Sequence, residues 1–107
     1  MLPKNRRLPR GSGAFRAKGR RVGIFFVKAQ PNTLGFTRFS VVAPAVILKK
    51  AVVRNLWKRL LYDSLREVDL GSGDIVLYIT KEAAMLSPKE AASVLPKLLY
   101  NSFKLSK

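Results

Sequence analysis

The sequence contains no cysteine and no histidine, and these absences exclude several chemistries. Without cysteine there is no disulfide, no thiolate metal site and no cysteine nucleophile. Without histidine the chain lacks the commonest general base and the usual zinc ligand. Acidic residues are also scarce, since only 6 of the 107 residues are Asp or Glu. Catalysis by the side chains of this protein alone is therefore disfavoured.

Long apolar runs are absent as well. No stretch approaches the roughly 20 apolar residues of a membrane-spanning helix. The basic N-terminus is not followed by the apolar segment of a signal peptide, so we expect a cytoplasmic protein. Apolar residues still make up 48% of the chain. That fraction supports a folded core, and 107 residues is the size of one domain.

Positive charge is what the chain has in excess. It carries 21 Lys and Arg, which gives a net charge of +15. Such an excess opposes compaction by self-repulsion, and a polyanionic partner is the simplest reason to carry it. Nucleic acid is the first candidate and an anionic membrane the second. We expect no small-molecule substrate.

The N-terminal stretch is the most basic part of the sequence. Residues 1–21 contain eight Lys or Arg and no acid, and prolines and glycines interrupt them. This composition predicts a flexible basic arm over residues 1–13, followed by one RNA-binding domain over residues 14–107. Within that domain, residues 14–18 have room for one helical turn at most.

The remaining pattern is typical of an α+β domain. Residues 20–29 predict a strand that is buried on both faces, and residues 34–43 and 74–81 predict two more strands. In the strand over residues 34–43, one face carries Thr37, Phe39, Val41 and Ala43 and can pack on the core. The other face, with Arg38, Ser40 and Val42, can stay polar. A final helix should begin at Ser87, because Ser87 and Glu90 form a capping box.

The strongest helical signal covers residues 45–68. One stripe of this helix is apolar, and its members are Val46, Val52, Val53, Leu56, Trp57 and Leu60. The rest is cationic, since within residues 49–66 six bases face one acid, Asp63. With Asn55, these bases predict a surface that binds a phosphate backbone: Lys49, Lys50, Arg54, Lys58, Arg59 and Arg66. A helix that reads the DNA major groove is an alternative, but no helix-turn-helix partner precedes it.

The few carboxylates do not form a convincing catalytic set. Asp63 and Glu67 are four residues apart on the same helix and could form a metal-binding or acid–base pair. Pairing with the neighbouring Arg59 and Arg66 is the favoured interpretation. Asp74 is assigned to the glycine turn before the third strand. We therefore expect no catalytic residue and no metal site in the protein.

Residues 49–60, Lys-Lys-Ala-Val-Val-Arg-Asn-Leu-Trp-Lys-Arg-Leu, resemble the signature of the ribonuclease P protein family. That family carries Lys-Ala-Val-Val-Arg-Asn-Arg early in a long helix. Arg54 and Asn55 match, whereas Leu56 and Leu60 stand where the family has Arg, so the chain is similar to a divergent member. Shorter matches follow in the same order: Leu2–Lys4, Phe15 with Lys18–Arg21, Gly35–Phe36, Gly73–Val76 and Leu86–Ser87.

The resemblance implies a single-domain α/β sandwich of order αβββαβα, like the second domain of a small-subunit ribosomal protein. It also implies a left-handed βαβ crossover, which is rare. The protein would bind a catalytic RNA subunit and the 5′ leader of precursor tRNA, and the RNA would carry the chemistry. No cofactor would bind the protein alone, and Mg²⁺ is expected in the RNA-containing holoenzyme.

The resemblance also assigns residues to the two RNA ligands. Lys50, Arg54, Asn55, Lys58 and Arg59 would meet the catalytic RNA. Phe15 would line a leader-binding cleft, where an aromatic ring can stack on a single-stranded base. From the direction of the strands we add Arg16, Lys28, Arg38 and Tyr78 to this cleft.

Two other functions remain open from the sequence. A ribosomal or ribosome-assembly protein would have the same composition, and the recovered RNA would distinguish it. A protein-only nuclease would cleave without an RNA subunit, which the missing histidine disfavours.

Overall fold

The computed structural model describes residues 4–9 and 11–103. It is an α+β structure with a four-stranded sheet, as predicted. Two 3-10 turns, Lys4–Arg6 and Gly13–Arg16, precede the first strand. The elements that follow are β1 (Gly19–Val22), β2 (Phe25–Pro31), β3 (Thr37–Val42), α1 (Ala51–Ser64), β4 (Gly73–Ile79), α2 (Lys81–Ala84) and α3 (Pro88–Ser102).

The sheet has the strand order β1-β2-β4-β3. β2 runs antiparallel to both β1 and β4, whereas β3 and β4 are parallel neighbours. Parallel strands need a crossover connection, and here α1 provides it. A β3–α1–β4 unit is therefore present as the resemblance implies, and its left-handedness stays a prediction.

The core lies between one face of the sheet and the helices α1 and α3. Alternate strand residues point into it, among them Phe25, Phe39 and Leu77, which are fully buried. Trp57 and Leu61 of α1 pack into the same cluster. Thr37, Phe39 and Val41 face the core as expected. The opposite face of the sheet is only partly covered.

The strand predicted over residues 20–29 is wrong, because the chain forms a hairpin there. β1 and β2 pair from Val22 with Phe25, which leaves Gly23 and Ile24 as a two-residue loop. Gly23 has a φ of 59°. A glycine with positive φ in the first loop position is typical of a tight type II′ hairpin. Because apolar residues lie on both sides of Gly23, the sequence pattern indicated one continuous strand where the structure has two.

The helix predicted over residues 45–68 is shorter at both ends. The carbonyl of Pro44 accepts hydrogen bonds from the backbone N–H groups of Ile47 and Leu48, so residues 44–48 form a turn. Lys50 is extended, with φ −88° and ψ 130°, and the helix begins at Ala51. The predicted apolar stripe is wrong at three of its members, because Val46, Val52 and Leu56 are 79%, 80% and 38% exposed.

The strand predicted over residues 74–81 ends at Ile79. The hydroxyl of Thr80 accepts from the N–H of Ala83 and thereby caps the short helix α2. The capping box of Ser87 and Glu90 is confirmed at the start of α3. Pro96 lies inside α3, where its missing N–H group predicts a bend in the helix.

The segment before β1 contacts the sheet at several of the residues that the structure describes. The N–H of Leu8 donates to the carbonyl of Phe39 at 2.8 Å, beside a parallel bridge between Arg7 and Phe39. The guanidinium of Arg6 donates to the carbonyls of Arg66, at 2.7 Å, and Val68. These carbonyls follow the C-terminal end of α1, where a cation is favourable. A division of the chain at residue 13 stays a prediction.

Candidate nucleic-acid interfaces

The predicted phosphate-binding residues lie along the exposed side of α1. The side of this segment that packs in the core carries Trp57, Leu61 and Leu65. The opposite side is exposed to solvent. Most of the predicted residues are exposed there or just beyond the ends of the helix: Lys49, Lys50, Asn55, Lys58, Arg59 and Arg66. Asn55, Lys58 and Arg59 are therefore exposed on α1 itself, while Lys49 and Lys50 precede its start and Arg66 follows its end.

Arg54 differs from the other members of this set because it is half-buried and has internal partners. Its Nη1 donates to the carbonyl oxygens of Leu48 at 2.8 Å and Lys49 at 2.9 Å. The N-cap residue of α1 makes no side-chain capping bond. Arg54 thus holds the turn before the helix in place and fixes the backbone that carries Lys49 and Lys50.

A groove lies beside the exposed face of α1. Its volume is about 620 Å³. Its walls combine cationic, amide and apolar side chains: Arg7, Val52, Asn55, Leu56, Lys58, Arg59 and Tyr62. The Tyr62 hydroxyl accepts from the N–H of Val41 at 3.0 Å, and the guanidinium of Arg7 lies 5.7 Å from the Tyr62 ring centroid. The aromatic wall of the groove is therefore fixed from two sides.

The sheet face opposite the helices is the second candidate surface. The strand register sets Phe26 beside Tyr78, and Tyr78 beside Val42, in one row across three strands. The rings of Phe26 and Tyr78 meet edge to face, with centroids 5.9 Å apart. Phe26 is 37% exposed, so this aromatic pair is open to solvent at one end of the sheet.

Three of the five predicted cleft residues come together on this face. Lys28 Nζ donates to the carbonyl of Phe15 at 2.9 Å and lies 5.3 Å from the Tyr78 ring centroid. Phe15 packs against the small cluster of Leu8, Ala14 and Val76. Arg16 is exposed on the same 3-10 turn. The expected combination of aromatic rings and a cation is present.

Arg38 shares this face of the sheet, but it lies with Asp74 in a separate row and is bound there. Its Nε and Nη2 donate to the two carboxylate oxygens of Asp74 at 2.9 and 2.8 Å. Asn32 and Ser12 also donate to this carboxylate. The structure does not bring Arg38 into the group formed by Phe15, Lys28 and Tyr78. Asp74 is an ion-pair partner, so its assignment to the glycine turn was wrong.

The environment of Asp74 also determines its titration. Burial by itself would raise the pKa of this carboxyl, but hydrogen bonds from Arg38, Asn32 and Ser12 and the charge of Arg38 outweigh it. The pKa of Asp74 is consequently below its ordinary value, and the hydrogen bond to Asp74 raises the pKa of Arg38 despite partial burial. Both groups are ionised at neutral pH.

Sequence reasoning missed Phe26, which belongs to the aromatic pair. Its omission follows from the missed hairpin, because a strand buried on both faces has no open side. Had Gly23 been taken as a turn, alternation from Phe25 onward would have placed Phe26 and Lys28 on the same open face.

A membrane-spanning helix and a cluster of metal ligands are both absent from the described residues. No helix among them is long and apolar enough to cross a membrane. Nowhere in ranges 4–9 and 11–103 do three or more acidic, cysteine or histidine side chains cluster as metal ligands.

Comparisons with known proteins agree on one family. The family model of Ribonuclease P matches residues 11–102. The chain is 34% identical to the ribonuclease P protein component of Photobacterium profundum over 83 residues, which covers 76% of this chain and 70% of that protein.

Solved structures show the same fold. The RNase P protein of Staphylococcus aureus superposes with a TM-score of 0.74 at 14% identity, covering 94% of this chain and 98% of that one. The RNase P protein from Thermotoga maritima gives a TM-score of 0.70 at 22% identity and covers 88% of both chains.

Proposed function

This chain belongs to the ribonuclease P protein family, and we propose that it binds the catalytic RNA subunit and the 5′ leader of precursor tRNA to assist 5′ maturation. The family match favours this function over a ribosomal or ribosome-assembly role. We assign two different RNA ligands because the protein has two separate candidate surfaces. One lies on α1 and the other on the open sheet face. The cytoplasmic location expected from the sequence is part of the proposal.

The α1 surface suits the RNA subunit. Exposed lysines and arginines can neutralise phosphates, and the amide of Asn55 can bond sugar or base edges. Lys49 and Lys50 sit on a turn that Arg54 clamps, so these two cations are presented from a fixed backbone. Pre-ordered cations lose less entropy when they bind a structured RNA.

The open sheet face suits a single strand. Phe26 and Tyr78 offer aromatic surface on which bases can stack, and Lys28 supplies a charge between Phe15 and Tyr78. A leader of variable sequence needs such contacts, because every base has a stacking face while hydrogen-bond readout would select among sequences.

The chemistry is assigned to the RNA subunit and to Mg²⁺ bound with it. Several carboxylates of the protein already have structural partners: Asp74 binds Arg38, Glu82 binds Arg21, and Glu90 closes the α3 capping box. Asp69 accepts from the N–H of Gly71. We therefore propose a subunit that binds and positions RNA, without a cofactor of its own.

Reconstitution tests this function. A bacterial ribonuclease P RNA transcript is incubated with precursor tRNA at low magnesium, with and without the protein. We expect the protein to increase the rate of cleavage at the 5′ end, and Lys58→Ala to give less stimulation than the control Lys81→Ala on α2. No stimulation by the folded protein would overturn the proposal. Cleavage by the protein without added RNA would instead indicate a protein-only nuclease.

A further inference from the structure

The groove beside α1 contains apolar surface that phosphate binding does not explain. Val52 is 80% exposed and Leu56 is 38% exposed. The spacing of four residues puts both on the same side of the helix, and three residues later Arg59 follows them. Core packing does not account for this pair, since Trp57 and Leu61 fill that role.

The chemistry of the walls points to a ligand with both a flat apolar part and negative charge. Val52, Leu56 and the fixed ring of Tyr62 supply apolar surface, while Lys58 and Arg59 supply cations at the rim. Sites for single-stranded nucleic acid combine these elements, with apolar or aromatic groups against the base and cations on the backbone. The volume of about 620 Å³ lies in the range of roughly 300–1,000 Å³ that is typical of small-ligand pockets.

We propose that this groove binds one unstacked nucleobase of the RNA partner. The base lies against Leu56 and Val52, Asn55 is available to its polar edge, and Lys58 and Arg59 bind the adjoining phosphates. This inference rests on the proposed function and specifies one of its contacts. Leu56 then supplies an apolar contact at a position where the family signature has a cation.

The charge of the groove favours RNA over a second copy of this chain. Its lining side chains include three cations and no carboxylate. A second copy of this chain would bring the same cations together within a protein of net charge +15. Phosphates on either side of a bound base complement this arrangement.

The test separates the base contact from the phosphate contacts through salt dependence. Binding to a bacterial ribonuclease P RNA transcript is measured over a range of KCl concentrations for the wild type, Leu56→Ala and Leu56→Arg. Because counterion release vanishes on extrapolation to about 1 M salt, the extrapolated affinity reports the non-electrostatic contacts. We expect Leu56→Ala to lower it roughly fivefold to tenfold, because most of the apolar side chain against the base is lost, with an unchanged slope.

Leu56→Arg provides the decisive contrast. We expect a log–log slope steeper by about 0.7–0.9 because of the added cation, together with a lower extrapolated affinity because of the lost apolar surface. If Leu56 merely marks a weakened phosphate site, Leu56→Arg should instead tighten binding without loss at 1 M salt. That result would overturn the proposal.

The chain offers a matched control. Val46 and Val52 are exposed to nearly the same extent, 79% and 80%, but Val46 precedes α1 and does not line the groove. We expect Val52→Ala to lower the extrapolated affinity and Val46→Ala to leave it unchanged. Alanine favours the helix, so Val52→Ala should remain folded.

The outcomes distinguish the inference from the function on which it rests. Failure of the folded wild type to bind the transcript would count against the proposed function. Wild-type binding with equal extrapolated affinities for Val52→Ala, Leu56→Ala and Val46→Ala would overturn the base contact alone. A dimer in sedimentation that Leu56→Arg dissociates would assign the groove to a second copy, and would also overturn it.

Discussion

The two candidate RNA-binding surfaces carry similar residues but use their charges differently. On α1, the exposed side chains of Lys50, Lys58 and Arg59 make no hydrogen bond within the described part of the chain. On the open sheet face, Lys28 donates to the Phe15 carbonyl and Arg38 is held by Asp74. The α1 surface presents most of its cations to solvent, with Arg54 as the exception, whereas Lys28 and Arg38 of the sheet face hold the protein's own structure.

This difference shows that a basic residue is not automatically part of an RNA interface. Arg6, Arg38 and Arg54 bind carbonyl or carboxylate oxygens of the protein itself. Their guanidinium groups connect the segment before β1, the sheet and the turn before α1 to neighbouring elements. The net charge of +15 therefore overstates the charge available to RNA, and substitutions can separate the two uses.

The largest effect should come from removing Asp74, the anion of the sheet face. Asp74→Ala leaves the partly buried Arg38 without its partner and frees the donors of Asn32 and Ser12. Breaking a buried ion pair costs about 3–5 kcal/mol, and we expect a loss of this order in the free energy of unfolding, measured by urea titration. Glu82→Gln breaks the exposed pair with Arg21 and should cost about 0–1 kcal/mol. Equal losses would contradict a structural role for Asp74.

Acid unfolding tests the same ion pair without deleting a side chain. The pKa of Asp74 is lowered in the folded state, so its contribution is present above the unfolded pKa of about 3.9 and is lost as the pH falls through the lower folded value. Wild-type stability should decline below about pH 4. In Asp74→Asn this decline should be flatter, and identical pH profiles would show that other carboxylates dominate.

The next largest effect concerns the aromatic pair of the sheet face. Phe26→Ala removes an exposed ring and should weaken binding of a single-stranded leader oligonucleotide by about 1–3 kcal/mol, as for a lost base-stacking contact. Fluorescence anisotropy measures this affinity. Leu34→Ala is a matched control, because Leu34 is 46% exposed and follows the far end of β2. If the two variants lose affinity equally, the aromatic pair is not the leader site.

A smaller effect is expected when one cation of each surface is replaced by alanine. Lys58→Ala should reduce the log–log salt slope of RNA binding by about 0.7–0.9, the value for one lost phosphate contact. Arg38→Ala should lower stability and, at a temperature where the variant is folded, leave that slope unchanged. A reduced slope in Arg38→Ala would place Arg38 in the RNA interface despite its pairing with Asp74.

The sequence was most informative where one periodicity governs one element. Alternation in residues 37–42 placed Thr37, Phe39 and Val41 in the core correctly, and the Ser87–Glu90 capping box predicted the start of α3. Both follow from local geometry. The exposure of Asn55, Lys58 and Arg59 on α1 was likewise predictable, since it follows from the periodicity of one helix.

The sequence was least informative where distant segments decide the outcome. Nothing local indicates that Asp74 meets Arg38 or that Arg6 reaches the end of α1, because those contacts depend on strand order and on the docking of the N-terminal segment. The hairpin was missed for a different reason, since the turn at Gly23 lies within one continuous apolar run. Because the hairpin was not predicted, Phe26 was not recognised as one of the two rings of the exposed aromatic pair.

The smallest effect concerns the residue beneath Phe26. A Cβ added to Gly19 would overlap the ring of Phe26, and the nearest atoms are side-chain atoms of that exposed ring. Gly19→Ala should therefore push the ring out of its position beside Tyr78 while β1 remains paired. An off-rotamer side chain costs about 0.5–1.5 kcal/mol, and we expect leader affinity to fall by a similar or smaller amount, with little change in stability. Adding Gly19→Ala to Phe26→Ala should then cost nothing further, because both act through one ring. An additional loss in the double variant would show that Gly19 itself approaches the RNA.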